Sequence, residues 1–114
     1  MPYLTIRTNR PVPEQARYQL LNKASALISK QLGKSENYVM ASFEPPMTML
    51  FGGSEAPLAY LELKSIGLPE QQVPALSEAL CSLLEQEIGV PKERIYIEFS
   101  SAARNLWGWN GSTF

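Results

Sequence analysis

Histidine and aspartate are both absent from the chain, and all eleven acidic side chains are glutamates. Because a Ser-His-Asp triad and a Cys-His pair both need histidine, neither can form within this chain. Cys81 is the only cysteine, so an internal disulfide and a zinc site on paired cysteines are also excluded. Cys81 lies in a helical pattern, and we expect a buried thiol in a reducing compartment. Any acid–base chemistry must therefore use glutamate, lysine, tyrosine, Cys81 or the terminal amine.

An excess of positive charge and a long apolar run are also missing. Ten Lys and Arg against eleven acidic residues give a net charge of −1, so nothing favours binding to nucleic acid or to an anionic membrane. No stretch approaches the ~20 apolar residues of a membrane span, and the N-terminus does not have the pattern of a signal peptide. We expect a single domain over residues 1–114 in the cytoplasm, although leaderless secretion would leave no mark in the sequence.

The chain contains two copies of one pattern. The tripeptide PEQ occurs at 13–15 and again at 69–71, and other residues recur at the same offset. The recurring pairs are Leu20 and Leu76, Leu27 and Leu83, Gly33 and Gly89, and Phe43 and Phe99. Such self-similarity indicates two structural units of the same type.

Each copy has the periodicity of a strand, a helix and a second strand. The predicted strands are 3–8, 37–44, 58–65 and 94–100. The first helix starts near Pro13 and stops at Gly33, and the second covers about 70–88 and stops at Gly89. Right-handed crossovers then place both helices on one face of a four-stranded mixed sheet, an α+β fold built from two βαβ units. The aromatic tail has no period, and a turn is predicted at Asn110-Gly111-Ser112.

The second face of this sheet has no helix to cover it. It would carry Met40, Ser42, Tyr96 and Glu98, or the residues that alternate with them, and neither set is strongly polar. An uncovered apolar face suggests that neighbouring subunits cover it, so we expect a homo-oligomer with the aromatic tail in its interface.

Pro2 opens the first strand although proline has no N–H to donate to a sheet. Proline is tolerated at the first position of a strand, where the missing donor costs little. Alternatively, removal of Met1 would leave Pro2 with a free secondary amine that can accept a proton. The residues alone leave both readings open.

Several short motifs occur in order along the chain and together resemble a known family. They are Met1-Pro2, Gly33-Lys34, FGGS at 51–54, SIG at 65–67, RIYI at 94–97 and GWNGSTF at 108–114. This combination resembles the family of macrophage migration inhibitory factor and D-dopachrome tautomerase. The resemblance implies a homotrimer with active sites between subunits and a keto–enol tautomerase of phenylpyruvate or dopachrome type. Pro2 would be the general base, and no metal or cofactor would be needed.

The resemblance also implies a set of substrate-binding residues. Lys34 would point into the pocket, Ile66 would offer its backbone N–H, and Tyr96 would reach in from a neighbouring subunit. Tyr38, Trp109 and Phe114 would line the pocket mouth. Each has a purely structural alternative: Lys34 also suits the C-terminal end of a helix dipole, Tyr96 suits a strand, and the aromatic residues suit an interface.

Departures from the family pattern affect the expected chemistry. Glu98 stands where the mammalian cytokine has a neutral asparagine, and its charge would repel a substrate carboxylate and oppose the lowering of the pKa of Pro2. Trp107 and Tyr3 are larger than their family counterparts. We therefore expect weak activity on phenylpyruvate. The alternatives are a cytokine-like binding or signalling protein with vestigial catalysis, and hydration or dehalogenation of a small acid.

Overall fold

The duplicated pattern forms two strand–helix–strand units in a computed structural model that describes residues 1–114. The first unit contains β1 Tyr3–Thr8, α1 Glu14–Leu32 and β2 Met40–Phe43. The second contains β3 Ala59–Ile66, α2 Val73–Ile88 and β4 Ile95–Ala102, and a terminal hairpin adds β5 Gly108–Trp109 and β6 Ser112–Thr113. Single turns of 3₁₀-helix lie at Glu36–Tyr38, Glu70–Gln72, Lys92–Arg94 and Arg104–Leu106.

The four long strands form one mixed sheet in the order β2-β1-β3-β4. Each unit contributes a parallel pair, β1 with β2 and β3 with β4, and the two units meet through the antiparallel pair β1 and β3. Tyr3 at the head of β1 lies opposite Met40 on one side and Lys64 on the other. The structure confirms the predicted α+β fold with four strands and two helices.

The core lies between the sheet and both helices. Alternate residues of the central strands pack against one stripe of each helix, as the periods of 2 and 3.6 require. The fully buried members include Leu4, Ile6, Leu61 and Leu63 from the strands and Leu20, Ile28, Leu76, Leu80 and Leu84 from the helices. Cys81 is only half-buried beside this core. No helix of the molecule combines the length and the apolar character that crossing a membrane requires.

The second strand is shorter than predicted because its first residues form a turn. The Ser35 hydroxyl accepts a hydrogen bond from the Asn37 N–H at 3.2 Å and caps the 3₁₀ turn that contains Tyr38. A local side-chain bond of this type competes with strand pairing, so β2 begins only at Met40. The second α-helix likewise starts at Val73, after a 3₁₀ turn, and not at residue 70.

The uncovered face of the sheet is polar, which corrects the expectation of an apolar face. It carries Met40, Ser42, Tyr96 and Glu98 from the outer strands, but also charged residues from the central strands. Arg7 of β1 donates to Glu62 of β3 at 2.7 Å, and Lys64 lies 3.5 Å from the same carboxylate. The prediction was wrong because it considered only the two outer strands. Oligomerisation therefore stays a prediction that no longer rests on an apolar sheet face.

Candidate active site

Pro2 is buried at the head of β1, where a cavity of about 300 Å³ opens to the surface. Its carbonyl accepts a hydrogen bond from the Met40 N–H at 2.9 Å, which extends the pairing of β1 with β2 by one residue. A missing N–H is tolerated at this position because Pro2 precedes the first residue of the strand. The cavity is lined by Met1, Pro2, Tyr3, Asn37, Tyr38, Val39, Met40, Trp107, Gly108, Trp109 and Phe114.

Lys34 is held at the end of α1 by a left-handed cap. Gly33 has φ 62°, a conformation that favours glycine, and the Lys34 N–H returns to the Ser29 carbonyl at 3.1 Å. The Ser29 hydroxyl also donates to the Lys34 carbonyl. These contacts fix the backbone from which the Lys34 side chain extends toward the end of β3.

The Lys34 ammonium donates to the Ile66 carbonyl at 2.6 Å and lies 3.3 Å from the hydroxyl of the buried Ser65. The structure thus brings two of the predicted site residues, Lys34 and Ile66, into direct contact. Partial burial lowers the pKa of Lys34, and the charge of Arg104 lowers it further. A cation held in this way offers a fixed positive charge beside the chain terminus.

The terminal amine lies close enough to Lys34 to respond to its charge. Burial lowers the pKa of the Met1 amine below its ordinary value, and repulsion from Lys34 adds to the effect. Both causes destabilise the protonated form. An amine in this position is more readily unprotonated near neutral pH than an exposed one, which is the condition that a general base needs.

Three aromatic rings form the mouth of the cavity. The Tyr38 ring meets Trp109 edge-on, with centroids 5.6 Å apart, and Trp109 stacks on Phe114 at 5.2 Å. The hairpin that carries Trp109 turns at Asn110 and Gly111, both with positive φ, as the predicted turn requires. The Phe114 N–H donates to the Trp107 carbonyl at 3.2 Å, so the chain end is fixed against the hairpin.

Tyr96 and Glu98 do not lie at this cavity within one chain. Tyr96 pairs with Tyr60, whereas Tyr3 pairs with Lys64, so Tyr96 lies about 13 Å further along the strand direction at the usual rise per residue. Glu98 accepts a hydrogen bond from the Tyr60 hydroxyl at 3.3 Å. Burial and the nearby Glu98 charge raise the pKa of Tyr60.

Several lining residues, among them Asn37, Val39 and Met40, were not predicted as part of a site. Met40 was assigned only to the uncovered sheet face, where its side chain is 65% exposed. Its place in the cavity wall follows from its pairing with Tyr3, which no spacing in the sequence reveals. The strand pattern that begins β2 was the available signal, since a parallel partner of β1 must begin beside Pro2.

Comparisons with known proteins agree with this geometry. The sheet of two βαβ units with both helices on one face is the fold of the tautomerase superfamily. The chain belongs to the macrophage migration inhibitory factor family, whose model matches residues 1–114.

The similar proteins span the length of the chain. A macrophage migration inhibitory factor homolog of Brugia malayi is 44% identical, covering 100% of this chain and 99% of that protein. The crystal structure of a homologue from Prochlorococcus marinus superposes with a TM-score of 0.93 at 41% identity, covering 98% of both chains. A related protein from Entamoeba histolytica gives the same TM-score at 27% identity, covering 99% of this chain and 98% of that one. Membership supports a tautomerase or a cytokine-like protein in general terms.

Proposed function

We propose that this protein is a cofactor-free keto–enol tautomerase of phenylpyruvate or dopachrome type, with Pro2 as general base after removal of Met1. The observation that carries the proposal is the position of Pro2, buried at the base of a largely apolar cavity. The lowered pKa of the Met1 amine, one residue before Pro2, and the fixed ammonium of Lys34 support it. Family membership supports the reaction class.

The mechanism needs one proton acceptor and one stabiliser of negative charge. The Pro2 nitrogen takes the proton from the carbon next to the substrate carbonyl. The C–H electron pair becomes the C=C bond, and the C=O π pair moves onto oxygen. The Lys34 ammonium and the Ile66 N–H stabilise that oxygen, and such donors typically supply a few kcal/mol each. Protonation of the enolate oxygen completes the enol, and the reverse sequence gives the ketone.

The aromatic mouth would select the substrate. Tyr38, Trp109 and Phe114 offer flat apolar surfaces suited to an aryl group beside the carbonyl. Tyr96 and Glu98 would join the site from a neighbouring subunit of a homotrimer, since they lie far from Pro2 in their own chain. The charge of Glu98 would then disfavour substrates with a carboxylate, so activity on phenylpyruvate would be weak.

Replacing Pro2 tests the proposal directly. Pro2→Gly should lower the rate of enol-phenylpyruvate ketonisation by about 10²–10⁴-fold, the usual contribution of a general base. Pro46→Ala, in the exposed segment after β2, serves as the matched control and should leave the rate unchanged. Mass spectrometry of the purified protein should show that Met1 is absent. Unchanged turnover in a folded Pro2→Gly protein would contradict the proposal.

A second candidate function is cytokine-like binding on the same scaffold with vestigial catalysis. The names of the relatives favour it, because they are described as macrophage migration inhibitory factors and their homologues. In that case a specific protein partner would be captured equally by the wild-type chain and by Pro2→Gly. Loss of capture in Pro2→Gly, together with loss of turnover, would instead favour the enzyme.

A further inference from the structure

Arg94 is the centre of a hydrogen-bond cluster that lies outside the cavity. Its guanidinium donates to four backbone carbonyls of the segment between β2 and β3, all at 3.0–3.1 Å. The acceptors are the carbonyls of Phe51, Ser54, Ala56 and Pro57. None of its contacts is a salt bridge. An arginine whose guanidinium nitrogens all donate to one backbone segment fixes the shape of that segment.

The segment held by Arg94 is a tight turn with a second anchor. Phe51 and Ser54 exchange two backbone hydrogen bonds, at 3.0 and 3.1 Å, across Gly52 and Gly53, which both have positive φ. On the other side, the Asn9 side chain donates to the Glu55 carbonyl at 2.8 Å. The turn is therefore held at both ends, and its carbonyls converge on the guanidinium.

The first residue of the turn, Phe51, contacts Tyr96. The Phe51 ring lies 4.6 Å from the Tyr96 ring between centroids, and its other neighbour is the Arg94 guanidinium, 5.2 Å from the Phe51 centroid. Tyr96 is 65% exposed, and Phe51 is the aromatic ring that packs against it. Arg94 thus connects to Tyr96 through one ring, although its own side chain does not reach the tyrosine hydroxyl.

We propose that Arg94 is a positioning residue that sets the orientation of Tyr96 through Phe51. The inference rests on the proposed function, in which Tyr96 contacts the substrate. Arg94 would act on substrate binding and leave proton transfer at Pro2 unaffected. Loss of such an interaction raises KM and leaves kcat nearly unchanged.

Arg94→Lys tests the inference because it keeps the charge and removes the planar fork of donors. We expect KM to rise about tenfold with kcat within about twofold, the effect of losing roughly one good contact. Arg10→Lys, whose guanidinium has no hydrogen-bond partner, is the matched control and should leave KM unchanged. An unchanged KM in Arg94→Lys would overturn the inference.

A double-mutant cycle with Tyr96→Phe separates positioning from a general loss of structure. If Arg94 acts by aiming the Tyr96 hydroxyl, Arg94→Lys should change KM less than about twofold in the Tyr96→Phe background. Equal increases in both backgrounds would overturn the inference. Phe51→Leu keeps the backbone acceptors of Arg94 and should raise KM as Arg94→Lys does. It provides the same test if Arg94→Lys does not fold.

A spectroscopic measurement keeps this inference distinct from the proposed function. In ¹³C-tyrosine-labelled protein, the Tyr96 ring signal, assigned with Tyr96→Phe, should shift in Arg94→Lys and stay in place in Arg10→Lys. One outcome is that Pro2→Gly leaves turnover unchanged while the Tyr96 signal still shifts in Arg94→Lys. That result would support the positioning role and contradict the proposed reaction. An unmoved Tyr96 signal would overturn the positioning role whatever the activity.

Discussion

Lys34 would have two roles in the proposed reaction, and one substitution removes both. Its charge lowers the pKa of the Met1 amine, and its ammonium would stabilise the enolate oxygen. Lys34→Met should lower kcat/KM by about 10²–10³-fold through the lost donor. It should also raise the pKa of the amine, because one cause of the lowering is gone. Since the base works unprotonated, the acidic limb of the pH–rate profile should move to higher pH.

The control for this experiment is Lys30→Met. Lys30 lies in the last turn of α1, one turn before Lys34, with its side chain exposed. The substitution removes the same charge near the same helix end, so a general electrostatic effect would appear in both variants. An acidic limb that stays in place in Lys34→Met would contradict the role of its charge in tuning the amine.

Glu98 is the charged one of the three departures from the family pattern that the resemblance indicates. Glutamine in its place can still accept a hydrogen bond from the Tyr60 hydroxyl, so the local geometry should persist. Glu98→Gln should lower KM for phenylpyruvate by about threefold to tenfold, because a repulsion between two partly solvated carboxylates is removed. A substrate without a carboxylate should show no change.

Glu93→Gln provides the charge-matched control for Glu98→Gln. Glu93 is exposed in the 3₁₀ turn before β4, and its side chain has no ion pair. Both substitutions alter the net charge equally. If the two variants lower KM to the same extent, the effect belongs to the overall charge of the protein and not to the site.

At the level of helices, the two caps offer a matched pair. Gly33 and Gly89 end α1 and α2 with φ of 62° and 69°, and a Cβ at either position would meet open space. Alanine at either site should therefore destabilise the protein by about 1–2 kcal/mol through backbone strain alone. Only Gly33→Ala should also reduce turnover, because Lys34 follows it directly. Urea unfolding and turnover measured on both variants check this, and equal turnover would contradict it.

The elements that periodicity defines strongly could be predicted from the sequence. The strand predicted at 3–8 is observed at Tyr3–Thr8, and α1 ends at the predicted glycine. β4 extends to Ala102, beyond the predicted residue 100, because Ser101 and Ala102 continue to pair with Ser65 and Ile66. Pairing with a neighbouring strand decides such ends, and a neighbour is invisible in local spacing.

The site was predictable only in part for the same reason. Resemblance identified Pro2, Tyr38, Trp109 and Phe114, and the structure gathers these four around one cavity. Met40 was missed, because its place in the wall depends on the register between two strands. The roles of these residues in catalysis stay predictions.

For the whole molecule, the distance between Pro2 and Tyr96 has a consequence for assembly. The two residues lie toward opposite ends of the sheet, so they can serve one reaction only if they come from different chains. A closed ring of three identical subunits would pair the Pro2 end of each chain with the Tyr96 end of the next. The polar uncovered face does not oppose this, since ring closure need not bury the whole face in an apolar contact.

Mixed oligomers of two impaired variants test this arrangement. Pro2→Gly and Tyr96→Phe should each reduce turnover alone, but random assembly of equal amounts leaves about one site in four with both residues intact. The turnover of a mixture unfolded and refolded together should therefore exceed the mean turnover of the two parents. The turnover of parents mixed without unfolding should equal that mean. Sedimentation should give three times the 12.7 kDa of one chain for every sample. Refolded mixtures that only match the parental mean would show that no site combines Pro2 and Tyr96 of different subunits.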